Sequence, residues 1–371
     1  MSTDPARYCA TDKEIHDLLM SAKKRITESV LHDLSKGRGI FYSPREVRER
    51  LADKLSLLPH GFHDLNELIG HLEHSGRGEK TTSVSLPPLT MEEIKEVAAS
   101  YSASVSGDEK VTVYQKGTDE YHIDVAYSEI DYSKTRLVQR KQREAAIEFD
   151  VRADRTVIRL PANEKAEQIV EDLRTKIAAK KQAEIKAVRI ELDPLLSPEQ
   201  RTRFFTQLIS EMPSFTFRNV TRVRVDSLQL MPGDDPDEDP DKEEAAAEML
   251  ALVHQVALSG QSLLASGVYQ ELRERGFFIT SIVWDARQSE SLSDFQFEAA
   301  FDEPRAGTGF RYNVRGVRRH EGGGQYTKTL RPVEKDEKFF LFEILENTAS
   351  KIRDELTAEA EATQTAEETK A

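Results

Sequence analysis

The apolar positions of this chain change period along its length. Over 11–75 they recur at three- and four-residue intervals. Glu14-Ile-His-Asp-Leu-Leu-Met and Ile26-Thr-Glu-Ser-Val-Leu-His-Asp-Leu each gather their apolar groups on one helical face. Ser43-Pro44-Arg45-Glu46 has the form of a helix start, a serine cap followed by proline in the first turn. It predicts a helix to about Leu58, where Pro59-His60-Gly61 breaks it. Asp64 to Glu73 predicts another short helix, and Ser75-Gly76-Arg77-Gly78 ends the unit. Residues 76–90, closing on Leu86-Pro87-Pro88-Leu89-Thr90, read as a linker, and Thr90 with Glu93 has the spacing of a capping box.

Beyond it the period becomes two. Lys110-Val-Thr-Val-Tyr-Gln and Tyr121-His-Ile-Asp-Val-Ala-Tyr alternate as strands do, with Lys116-Gly117-Thr118-Asp119 as the hairpin turn. Residues 145–230 then state one pattern twice. A strand over 146–151, a turn at Ala153-Asp154-Arg155, a strand over 156–160 and a helix capped by Asn163 come first. A strand over 187–192, a helix opened by Ser197-Pro198-Glu199 and extended chain over 215–230 follow. Further on, helices are predicted over 242–258 and from Gly267 to a stop at Gly276, strands over 277–284, 295–301, 310–317 and 326–330, and a helix over 339–356. Tyr269, Leu272, Phe277, Phe278, Ile279 and Trp284 are candidate core residues. The expected fold class is α+β in several modules: an N-terminal helical unit (1–80), a central strand–helix domain (81–231), an acidic linker (232–241), a C-terminal α+β domain with antiparallel strands (242–356) and a disordered acidic tail (357–371).

Charge sharpens this division. The 371 residues carry 52 Lys+Arg against 66 Asp+Glu, a net charge of -14. Residues 234–248 hold -8 of it and residues 354–371 hold -5, so the remainder is close to neutral. Such acidic blocks repel themselves and stay solvated. The single cysteine, Cys9, excludes an intramolecular disulfide framework and a cysteine zinc finger. No run of about 18 apolar residues is present, and the N-terminus lacks the apolar core of a secretory signal. The expected setting is a reducing cytoplasm.

Candidate chemistry centres on cations. In Leu34-Ser-Lys-Gly-Arg-Gly-Ile-Phe-Tyr-Ser-Pro-Arg-Glu-Val-Arg-Glu-Arg-Leu, a helix ends at glycine, an extended stretch follows, and a new helix opens with basic residues. Over residues 31–55 this resembles the SAP family of helix–extended loop–helix DNA-binding motifs, through Leu31, Leu34, Gly39, Ile40, Ser43 and Leu51. Pro44 and Arg45 stand where that family usually has a small residue and a lysine. The resemblance implies binding of duplex DNA through a helix start and basic side chains. Physically, helix N-termini attract phosphate, and Lys36, Arg38, Arg45 and Arg48 carry the charge to neutralise it. A second basic set lies in the last strands, where Phe310, Tyr312 and Val314 alternate with Arg311, Asn313 and Arg315, followed by Arg318, Arg319 and Lys328 around the tip Gly322-Gly-Gly324. Such a ribbon is suited to phosphates.

Other features point less far. Gln139-Arg-Lys-Gln-Arg143 reads as a polar loop between strands. Six of the nine histidines precede residue 80, and His60-x-x-His63 and His71-x-x-His74 have ligand-like spacing without cysteines; no metal is expected there. Asp124, Glu129, Asp131 and Lys134, or Glu148, Asp150 and Arg152, are the carboxylate groups a metal-dependent nuclease would use. No complete catalytic or cofactor-binding motif is present, so neither an enzyme nor a cofactor is expected. The leading expectation is a protein that binds nucleic acid, or assembles on it, through the loop–helix and the basic ribbon. The alternatives are a protein–protein adaptor and, third, the nuclease.

Overall fold

The first helix begins at a capping box. In the computed structural model, the Thr11 hydroxyl accepts the Glu14 N–H while the Glu14 carboxylate accepts the Thr11 N–H. The structure describes residues 10–23, 25–73, 79–105, 109–192, 197–227, 240–259 and 267–368. Helices α1 (Asp12–Ser21), α2 (Glu28–Gly37), α3 (Arg48–Ser56) and α4 (Phe62–Glu73) lead into β1 (Thr81–Leu86) and α5 (Met91–Ser104). The hairpin β2 (Lys110–Lys116) and β3 (Glu120–Ile130), the single turn α6 (Arg136–Gln139), β4 (Arg140–Val151), β5 (Thr156–Pro161) and α7 (Glu164–Lys181) follow. Next are α8 (Pro198–Ser210), β6 (Phe215–Ser227), α9 (Pro240–Ser259) and α10 (Gly267–Glu274). The chain ends with β7 (Phe277–Gln288), β8 (Asp294–Glu303), β9 (Thr308–Arg318), the small pair β10 (His320–Gly322) and β11 (Gln325–Tyr326), and the long helix α11 (Lys335–Glu368).

The fold class is α+β with a helical N-terminus. One nine-stranded sheet runs in the order β2-β3-β4-β5-β1-β9-β8-β7-β6, and β10 and β11 form a separate pair. The chain divides into two compact units. The first comprises Met1–Gly78, Ala98–Tyr114 and Ile123–Ala146; the second comprises Glu79–Val97, Gln115–His122 and Ile147–Ala371.

Unit 1 is held by a leucine-rich core that includes Leu18, Leu31, Leu51, Leu55, Leu68 and Leu137. The helical periodicity of 11–75 is therefore realised, with one change. The helix expected from Ser43 starts at Arg48 instead. The Ser43 carbonyl accepts the Glu46 N–H at 2.9 Å, closing a turn, and Val47 takes the cap position with no side-chain cap. Proline in the first turn is compatible with a turn as well as a helix. The polar loop expected at 139–143 is also changed: α6 ends at Gln139 and β4 begins at Arg140.

Unit 2 is built on an aromatic core. Trp284 stacks on Phe297 with centroids 5.4 Å apart, and Phe204 meets Phe301 and Phe310 at 5.5 and 5.6 Å. Leu272, Phe277, Phe278, Ile279 and Trp284 are buried, as expected for core positions. Asn163 and Ser197 cap α7 and α8 through side-chain oxygens that accept the Ala166 and Gln200 N–H groups.

Three stretches of unit 2 depart from the sequence pattern. The linker expected over 76–90 contains β1, a strand in the middle of the sheet, paired antiparallel with β5 and neighbouring β9. Its Thr and Ser residues hide the period, but Thr82 and Ser83 are buried, and Thr82 Oγ1 donates to the Phe310 carbonyl at 2.8 Å. The strands expected over 187–192 and 326–330 shrink to the isolated bridge Val188–Ser85 and the two residues of β11. The tail expected to be disordered from 357 continues α11 to Glu368: Leu356 is fully buried, Ala360 packs on the core, and Arg203 pairs with Glu359 at 2.8 Å. Of the acidic linker, residues 232–239 lie outside the described residues, as do 76–78 and 228–230. Among the described residues, no helix is long and apolar enough to cross a membrane.

Candidate nucleic-acid interface

The loop–helix of unit 1 folds its cations into different tasks. Helix α2 closes as the sequence implies, with Gly39 at φ +72° and its N–H on the Lys36 carbonyl at 2.8 Å. Lys36 is exposed and pairs with Asp33 at 3.2 Å; Arg45 is exposed. Arg38 turns inward. It donates to the Pro59 carbonyl at 2.8 Å and to His60 Nδ1 at 3.0 Å, and it pairs with Asp64 at 3.2 Å. Arg48 is buried and donates to the Ile26 carbonyl at 2.7 Å and to the Leu19 carbonyl. Arg48 is thus corrected from a phosphate contact to an internal brace, because both of its bonded groups lie on the helical framework that encloses it.

His60 belongs to the same arrangement. Its Nε2–H donates to the Leu55 carbonyl at 2.7 Å, leaving Nδ1 to accept from Arg38. Both ring nitrogens are engaged, so a metal would have to break these bonds. His63 is exposed, His71 lies in α4, and His74 is outside the described residues. Burial, with the nearby Arg38 charge, lowers the His60 pKa from its ordinary 6.5, against the opposing Leu55 hydrogen bond and the Asp64 and Asp12 charges. A folded pKa below the unfolded one favours folding at high pH. That stability is complete above about pH 6.5 and is lost as pH falls toward the folded pKa. Histidine-resolved NMR titration should show His60 protonating below the unfolded value. In His60→Gln, the fall in unit 1 stability between about pH 7 and 5 should flatten; an unchanged slope would assign it to other groups.

The basic ribbon of unit 2 is neutralised. Arg311 pairs with Asp302, Arg315 with Glu298 at 3.1 Å, Arg318 with Asp285 at 3.3 Å, and Arg319 donates to Glu337 at 2.7 Å. Glu298 also takes Lys80 at 2.7 Å. Lys328 remains exposed, and Gly323 and Gly324 make the turn between β10 and β11 after Gly322 ends β10, all three at positive φ. An arginine already matched by a carboxylate releases few counterions when it meets phosphate, so this face is a weak source of polyanion affinity.

A different strand carries exposed arginines. β6 is the last strand of the large sheet. Its apolar Val220, Val223 and Val225 are buried in the core, while Arg218, Arg222 and Arg224 are exposed. Register shifts against β7 at 217/219, 220/222 and 224/225 reset the alternation and keep the valines inward. Among the described residues, neither Arg218 nor Arg222 has an ion pair. At about 3.3 Å per residue, Arg218 to Arg224 spans roughly 20 Å of strand, with exposed Thr216 and Thr221 between or beside them. No family model matches this chain, and no curated protein matches it either. The β6 arginines were not singled out from sequence, although Phe215-Thr-Phe-Arg-Asn-Val-Thr-Arg-Val-Arg-Val alternates visibly between apolar and basic positions.

Three of the carboxylates are also committed. Asp131 accepts from the Ser133 N–H and hydroxyl, and Glu129 pairs with Arg143 at 2.9 Å. Asp150 is buried and takes Arg152 at 2.6 Å and Arg159 at 3.1 Å. Among the described residues, no group of three or more His, Cys, Asp or Glu side chains is placed to hold a metal ion.

Proposed function

We propose that this chain is a non-enzymatic, cytoplasmic protein that binds nucleic acid through the outer strand β6. The observation that carries this reading is the row Arg218, Arg222 and Arg224, exposed on one strand and, at Arg218 and Arg222, without an ion pair among the described residues. Exposed Lys36, Arg45 and Lys328 add charge, but each stands away from such a row in sequence. A strand-borne row reads phosphates rather than bases, so affinity should depend strongly on salt and weakly on sequence.

The test is binding of the full chain to labelled duplex and single-stranded DNA and RNA over about 50–300 mM salt. Binding should fall log-linearly with salt, and Arg218→Glu with Arg222→Glu should flatten the slope by about two units. Arg315→Glu, which removes an arginine already paired, should change it far less. Absence of salt-dependent binding to every probe would overturn the reading.

An adaptor role has one observation in its favour: Phe41, Val47 and Leu57 of unit 1 are 78%, 53% and 71% exposed. If that role holds, Phe41→Ser with Leu57→Ser should release a copurifying protein and leave nucleic-acid binding unchanged.

A further inference from the structure

The helical unit leaves a cleft of about 290 Å³ open over its own core. Leu19, Leu55 and Leu68, each at most 2% exposed, belong to the core and also line the cleft; half-buried Val30 and Leu34 complete its apolar wall. Protein interiors are close-packed, and wet apolar surface is unfavourable. A cleft this size, with apolar walls and a few convergent polar groups, has the form of a small-molecule site.

Its polar residues set the sign of the ligand. Arg38 lines the cleft, but its charge is matched by Asp64 and its donors are held by Pro59 and His60. Burial lowers the His60 pKa and favours its neutral ring, against the opposing Leu55 hydrogen bond. Two further carboxylates line the same space. Asp33 pairs with the exposed Lys36, and Glu67 has no ion pair among the described residues. With Asp64 matched by Arg38 and Asp33 by Lys36, Glu67 leaves the cleft with apolar contact and net negative charge, and among the described residues an anion would meet no free cation in it.

We propose that this cleft binds a small organic cation, an aliphatic or aromatic body ending in an ammonium or guanidinium group. The apolar body packs along the half-buried Val30 and Leu34, above the enclosed Leu19, Leu55 and Leu68, and the cationic end faces Asp33 and Glu67. This site is independent of β6 and of the nucleic-acid reading.

The experiment uses the full chain and three probes of one length: n-hexylammonium, n-hexanol and n-hexanoate, followed by saturation-transfer NMR and by titration of backbone amide shifts. Hexylammonium should perturb amides of α1, α2 and α4 and bind at least about tenfold more tightly than hexanoate. Glu67→Gln with Asp33→Asn, both surface changes that spare the core, should cut hexylammonium affinity about tenfold and leave hexanol binding as it was. Equal affinity for the three probes, no shift at the cleft, or indifference to the double substitution would overturn the proposal.

Discussion

Arg159→Met should destabilise unit 2 by about 3–5 kcal/mol, because it strands buried carboxylates. Arg159 is 1% exposed. Its Nε and Nη2 bond the two oxygens of Glu346 at 2.7 and 2.8 Å, and Nη2 reaches Asp150 at 3.1 Å. The guanidinium also lies 4.1 Å from the Phe339 ring centroid, and the Tyr312 hydroxyl donates to the same Glu346 carboxylate. Burial by itself would lower the Arg159 pKa, but Glu346 and Asp150 outweigh it and raise it, so the arginine stays charged. Tyr312, wholly enclosed beside Glu346, has its pKa pushed well above 10 and remains a neutral donor. The network joins β4, β5, β9 and α11, so its loss should loosen the helix against the sheet. Trp284, the only tryptophan, is buried in this unit and reports its unfolding in denaturant. Arg159→Met with Glu346→Gln should be less damaging than the sum of the two single changes, since each removes the other's unpaired charge. A loss below about 1 kcal/mol for Arg159→Met would mean that the carboxylates regain water.

Arg48→Met should cost unit 1 about 2–4 kcal/mol, as two buried carbonyls lose a charged donor. Leu19 lies in the last turn of α1, where carbonyls have no intrahelical partner, and Ile26 lies between α1 and α2. Arg48 satisfies both from α3 and places its charge at the negative end of α1. Hydrogen exchange at α1 and α2 amides should accelerate. Nucleic-acid binding, measured where the variant is still folded, should be unchanged. A loss of binding without a loss of protection would instead make Arg48 a ligand contact.

The contrast between Arg48 and Arg222 shows how far the sequence reaches. Both are arginines at the start of, or within, an amphipathic element, and only Arg48 sits in the motif that resembled a DNA-binding loop. What separates them is burial, which depends on chain segments far away. Arg48 is enclosed by residues about 20 to 30 positions earlier. The ribbon arginines behave similarly: Arg318 and Arg319 are neutralised by Asp285 and Glu337, one two strands away on β7 and one on the final helix. No local pattern announces those pairings.

Local grammar was nonetheless sufficient for most elements. Thr90 with Glu93, Asn163, Ser197-Pro198 and Gly276 mark helix ends because a side-chain oxygen or a missing Cβ acts within four residues. Apolar and alternating runs sufficed for β7, β8 and β9, although β7 is buried on both faces. It failed for β1, where threonine and serine fill buried positions and bond to a strand more than 200 residues away. It failed also at 357–368, where charge argued for solvated chain while Leu356 and Ala360 anchor the helix. The sequence by itself thus determined the α+β class, the capped helix starts at Thr90, Asn163 and Ser197 and most of the strands, since each rests on contacts within one turn or one hairpin. The tertiary structure alone decided which strand lies at the middle of the sheet, which arginines are neutralised and which stay open, and where a cleft remains over the leucine core. Those depend on which distant side chains meet, and hydrophobic period and net charge carry no record of that pairing.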